Sequence, residues 1–150
     1  VMKKTKTWIL VADGALARTF ETGKGEEGLV AVSGGEFAAA NLRSREIDAD
    51  RPGQGFDRAG QGQRRMQPRT DSHRHGKAEF ARHLAGYLLR EQQRQAYDDL
   101  IIVAPAKALG DLRAALAPAV RALVRAELSK DLVHIEEREL PKHLAPVLRP

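Results

Sequence analysis

Seven cations crowd one stretch of this chain: Arg51, Arg58, Arg64, Arg65, Arg69, Arg74 and Lys77, within RPGQGFDRAGQGQRRMQPRTDSHRHGK. Guanidinium forks match the oxygens of a phosphate, and glycines let a backbone approach one closely. Only Asp57 and Asp71 oppose them, so seven basic against two acidic residues give +5, the whole formal net charge of the protein. Outside the stretch, eighteen basic residues meet eighteen acidic ones. The stretch contains no Leu, Ile or Val. It has too little apolar surface to offset the entropy of ordering it in a core, and loops of this length are usually functional or disordered. The chemistry it offers is phosphate neutralisation on a polyanion. The plainer alternative is a solvated loop whose charge serves only solubility. Phe56 is its one aromatic residue, so base-stacking readout of a single strand is not expected.

Other residue types point to weaker chemistry. Asp71, His73 and His75, with His83 further on, offer carboxylate and imidazole ligands of the kind zinc or manganese takes. The opposing reading has Asp71 or Ser72 capping a helix while the histidines join its basic face. Asp13 ends an apolar run, where a nuclease would place a metal ligand, but Asp13-Gly14 reads better as turn chemistry and no two-metal set accompanies it. Ser33, Ser44, Ser72 and Ser129 sit in no nucleophile-elbow context. With no cysteine, disulfides and thiolate metal sites are excluded. No cofactor is expected. A cytoplasmic protein fits this composition. Trp8 to Ala12 is too short for a signal sequence or a membrane span.

The elements that must position these residues follow from periodicity. TWILVA at residues 7–12 is a β-branched apolar run. Asp13-Gly14 predicts a two-residue hairpin turn using positive φ, and residues 15–22 return as a second strand. Residues 29–37 form a third, with Gly34-Gly35 marking a bulge. The basic loop spans 51–77. A helix starts between Ser72 and Lys77 and runs to about Gln95, its stripe being Phe80, Leu84, Tyr87 and Leu88. DLIIVA at 99–104 is a strand buried on both faces. Pro105 opens a helix carrying Leu109, Leu112 and Leu116, and Pro118 closes it. Residues 119–128 alternate and are read as a strand, although Val120, Leu123 and Val124 would also serve a helix. A final helix occupies 136–148, with Pro141 in its first turn. The order predicts an α/β fold: a mixed sheet, antiparallel first and then joined by right-handed crossovers, in one domain.

WILVADGALARTFE, TDSHRHGKAEFARHLAGYL, DLIIVAPAKALGDLRAAL and VRAELSKDLVHI together resemble the bacterial host attachment protein family. That family is in turn similar to the central domain of archaeal and eukaryotic peptide-chain release factors and of Pelota. The resemblance implies a mixed sheet with an RNase H-like outline. In release factors the loop between the third strand and the first long helix carries Gly-Gly-Gln and helps hydrolyse peptidyl-tRNA. The basic loop holds that topological place here, but its nearest match, Gly60-Gln61-Gly62-Gln63, does not contain the triplet. Gln61 and Gln63 are the candidates if an ester is hydrolysed, and polar filler otherwise. Pelota-like proteins lack the triplet and keep RNA-contacting basic residues, which is the closer analogy. The resemblance thus implies RNA or the ribosome as partner. A peptidyl-tRNA hydrolase, or a protein-interaction module or homo-oligomer, are the alternatives, and no membrane partner is expected. Lys130-Asp131-Leu132 also matches the family, with no mechanism attached to it.

Overall fold

The computed structural model describes residues 5–22, 28–42 and 69–148, with side chains of the last stretch from Gly76 onward. Strands β1 (Thr7–Ala12), β2 (Leu16–Thr22) and β3 (Leu29–Ala38) form an antiparallel meander. Helix α1 (Arg69–Gln93) then crosses to β4 (Asp99–Val103), which pairs parallel with β1. Helices α2 (Ala106–Ala115) and α3 (Pro118–Arg121) lead to β5 (Val124–Leu128), parallel with β4. A 3₁₀ turn (Glu137–Glu139) and α4 (Leu140–Leu148) follow. The sheet order is β3-β2-β1-β4-β5, the α/β mixed architecture expected.

The two central strands are apolar without interruption because both their faces are covered. Trp8, Leu10, Leu100 and Ile102 pack with Phe80, Leu84, Leu88, Leu109, Leu112 and Val120 on the face carrying α1 to α3. Ile9, Val11, Ile101 and Val103 point the other way, onto Leu132, Val133, Leu140 and Leu144. Period-two alternation in β1 and β4 therefore feeds two cores at once.

Several boundaries differ from the sequence reading. α1 begins at Arg69, so nine residues assigned to the basic loop, Arg69 to Lys77, are helical. It ends at Gln93 rather than Gln95: the Gln95 N–H bonds the Gln92 carbonyl (2.9 Å), and the Ala96 N–H bonds that of Glu91 (2.9 Å). Gln95 takes φ 60° to close this left-handed cap. Pro118 does not simply stop a helix, since it sits at the first position of α3. Residues 119–128 are thus half helix and half strand, and Val120 is buried from the helix. The β1–β2 turn also closes differently. Among the described glycines only Gly34 has positive φ (76°), so Asp13-Gly14 is not a positive-φ turn. Asp13 Oδ1 instead accepts the N–H groups of Ala15 (2.8 Å) and Leu16 (2.7 Å), an Asx turn. The bulge falls where Gly34-Gly35 marks it. Between the Arg18–Glu36 and Phe20–Ala31 pairs, residues 32–35 of β3 face Thr19 alone.

Candidate functional site

β1 and β4 run parallel, so both deliver their chains to one pole of the sheet. β1 passes there into the Asp13 turn, and β4 into Pro105 and α2. A crevice of about 270 Å³ lies between them, lined by Asp13, Gly14, Lys77, Pro105, Lys107 and Asp111 among others. The space outside the carboxyl ends of strands is where open α/β sheets place ligands.

Each lining charge has an identifiable situation. Asp13 is committed to its turn through Oδ1, while its Oδ2 lies 3.9 Å from His134 Nε2. Lys77 lays its aliphatic stem over Gly14: a Cβ at that position would stand 2.9 Å from Lys77 Cδ. The glycine is there for close approach, not for φ. Lys107 and Asp111 lie one helical turn apart on α2. Neither lysine forms an ion pair among the described residues. Some other cations are paired, as in Arg113–Glu127, Arg82–Glu79, Arg125–Asp99 (3.6 Å) and Lys142–Glu139 (3.5 Å), while Lys6 and Lys130 share the unpaired state among the described residues.

The described chain before the basic segment and the helical end of the segment both lie at this pole. Past β3, the Ala39 N–H bonds the Ala15 carbonyl (2.7 Å). On the far side, α1 reaches the pole at Lys77. The helix extends eight residues upstream of Lys77 to Arg69, about 12 Å at the helical rise. Arg69 and Arg74 belong to that extension, and Lys77 is exposed at its base. Arg51, Arg58, Arg64, Arg65, Gln61 and Gln63 lie outside the described residues. Asp71, His73 and His75 are on α1, where positions two apart are about 200° apart around the axis. Among the described residues no group of three potential ligands is placed to hold a metal ion. The side chains of Asp71, His73 and His75 lie outside the described residues, and His83 meets the edge of Phe37 (ring centroids 5.6 Å), beside the Phe37–Tyr87 pair (4.7 Å).

A larger recess, about 650 Å³, lies by Gly28, Leu29, Glu136, Glu137, Arg138 and Pro141. Among its described lining residues the one cation, Arg138, is paired with Glu136 (3.2 Å). Sequence reasoning missed Lys107 and Asp111. The available signal was position: PAKALGD directly follows a doubly buried strand, at the end where such sheets bind.

Fold and pole define an α/β domain on a five-stranded mixed sheet, with a charged crevice at the carboxyl ends of its parallel strands. Residues 8–144 match the family described as "Protein required for attachment to host cells". The chain belongs to that family, and the match takes in all five strands and the crevice. No curated protein matches it. Among the described residues, no helix is long and apolar enough to cross a membrane.

Proposed function

We propose that this protein binds RNA, on the ribosome or on tRNA, through the basic segment 51–77 carried at the carboxyl pole of the sheet. One observation carries the reading: all the net charge of the protein lies in that segment, and the rest of the chain balances. The position of Ala39, before the segment, and of Lys77, at its end, at the pole with the crevice adds to it. So does the resemblance to the release-factor central domain and Pelota, whose corresponding segment works against RNA. The mechanism is phosphate neutralisation by arginine forks, with counterion release supplying much of the free energy.

Electrostatic binding of this kind is lost with salt. On single strands each neutralised phosphate contributes about −0.7 to the slope of log affinity against log salt. The protein is expected to co-sediment with ribosomes at low salt and to leave them above about 0.3 M. Nuclease treatment is expected to release it. Co-sedimentation indifferent to both salt and nuclease would instead indicate a protein partner.

A further inference from the structure

We propose that the crevice between the ends of β1 and β4 seats one ribose phosphate of the bound strand. Lys77 and Lys107 take the phosphate, and Asp111 accepts a hydrogen bond from the 2′-hydroxyl. The inference rests on the RNA-binding reading and adds a specificity to it: RNA over DNA.

Size, charge and chemistry agree. At about 270 Å³ the crevice is just below the usual range for drug-sized ligands. It accommodates a sugar and its phosphate and leaves the base outside. Lys77 and Lys107 bring to one crevice two ammonium groups with no carboxylate partner among the described residues. Gly14 is bare, which lets the Lys77 stem lie across it. Asp13 is held in its turn through Oδ1, with His134 3.9 Å from its Oδ2, whereas Asp111 in the crevice has no hydrogen bond or ion pair among the described residues. A carboxylate beside a phosphate repels it unless a donor stands between them. A ribose 2′-hydroxyl supplies that donor and a deoxyribose does not, so the same aspartate favours RNA and penalises DNA.

The test uses the full chain and labelled single strands of one sequence as RNA and as DNA, at fixed salt. The wild type is expected to prefer RNA by at least about fivefold. Asp111→Ala is expected to erase that preference, partly by tightening DNA binding, because the repulsion goes with the acceptor. Lys107→Gln is expected to weaken both strands and to make the salt slope shallower by about 0.7. Lys107 is exposed and Asp111 half-buried, and thermal melting of each variant checks the fold. Amide NMR with sugar phosphates gives a second readout. Ribose 5-phosphate is expected to shift Gly14 and Ala108, and 2-deoxyribose 5-phosphate to do so less. Equal RNA and DNA affinity in the wild type, or no amide shift up to about 10 mM sugar phosphate, overturns this inference and leaves RNA binding standing. Failure of both strands to bind at low salt overturns the RNA reading, and this inference with it.

Discussion

Gly34 and Gly35 are neighbours kept for opposite reasons. Gly34 has φ 76° and open space around a notional Cβ, so its constraint is backbone conformation. At Gly35 an added Cβ would stand 2.8 Å from Thr19 Cβ and 3.1 Å from the Tyr87 hydroxyl. Gly35→Ala is expected to cost about 1–3 kcal/mol by overpacking, read as a lower urea midpoint. Gly34→Asn is expected to be milder, since asparagine tolerates the left-handed region. The two buried tyrosines divide similarly. The Tyr97 hydroxyl donates to the Leu88 carbonyl (2.6 Å), whereas the buried Tyr87 hydroxyl has only Thr19 beside it, without good hydrogen-bond geometry. Tyr97→Phe is therefore expected to cost about 1 kcal/mol, and Tyr87→Phe almost nothing. Burial raises both phenol pKa values above the ordinary 10. Their protonated forms thus favour the fold fully below about pH 10, and stability falls as pH rises beyond it while unfolded phenols ionise. Each phenol contributes up to about 1.4 kcal/mol per pH unit to that fall. Either Phe variant is expected to show a shallower alkaline loss in urea melts at pH 9 to 11.

Element ends hold the next test. Gln95 closes the α1 cap at φ 60°, a position that glycine fills without the Cβ penalty of about 1 kcal/mol. Gln95→Gly is expected to stabilise the protein by a few tenths of a kcal/mol to about 1. A lower thermal midpoint would show that unfolded-chain entropy outweighs the relief. The second face of the sheet depends on one side chain of β2. Arg18 donates to the carbonyls of Val133 (3.0 Å) and Ile135 (2.6 Å), and its guanidinium sits 5.0 Å from the Phe20 ring centroid. These bonds tie down the segment that brings Leu140 and Leu144 onto Ile9 and Val103. Arg18→Ala is expected to cost about 2 kcal/mol and to raise amide exchange selectively over residues 132–148. Exchange raised uniformly would contradict a local clamp.

The sequence made the strands legible because burial on one or both faces leaves a period that can be counted. TWILVA and DLIIVA are unbroken, and the α1 stripe repeats at helical spacing. Turn and cap details were less visible. Asp13-Gly14 has two ways to close a hairpin, by positive φ or by the aspartate side chain, and only the fold decides. A glutamine at a left-handed cap leaves no mark at all. Residues 119–128 misled because an alternating pattern was shared by a helical turn and a strand.

At the scale of the molecule, charge segregation is a property of composition and was plain from the start. The crevice was not. Lys77, Lys107 and the Asp13 turn are far apart in the chain, and only the parallel pairing of β1 with β4 brings them together. Ala39, before the segment, and Lys77, at its end, lie at that same pole. In the proposed function, 51–77 and the crevice are parts of one RNA-facing end. The most direct test is in-cell RNA crosslinking of the wild type against the variant with Arg58, Arg64, Arg65 and Arg69 changed to Ala. A loss of recovered RNA of about tenfold or more, at equal protein level and melting temperature, is the predicted result. Equal recovery from both proteins would contradict the claim that this end of the molecule binds RNA.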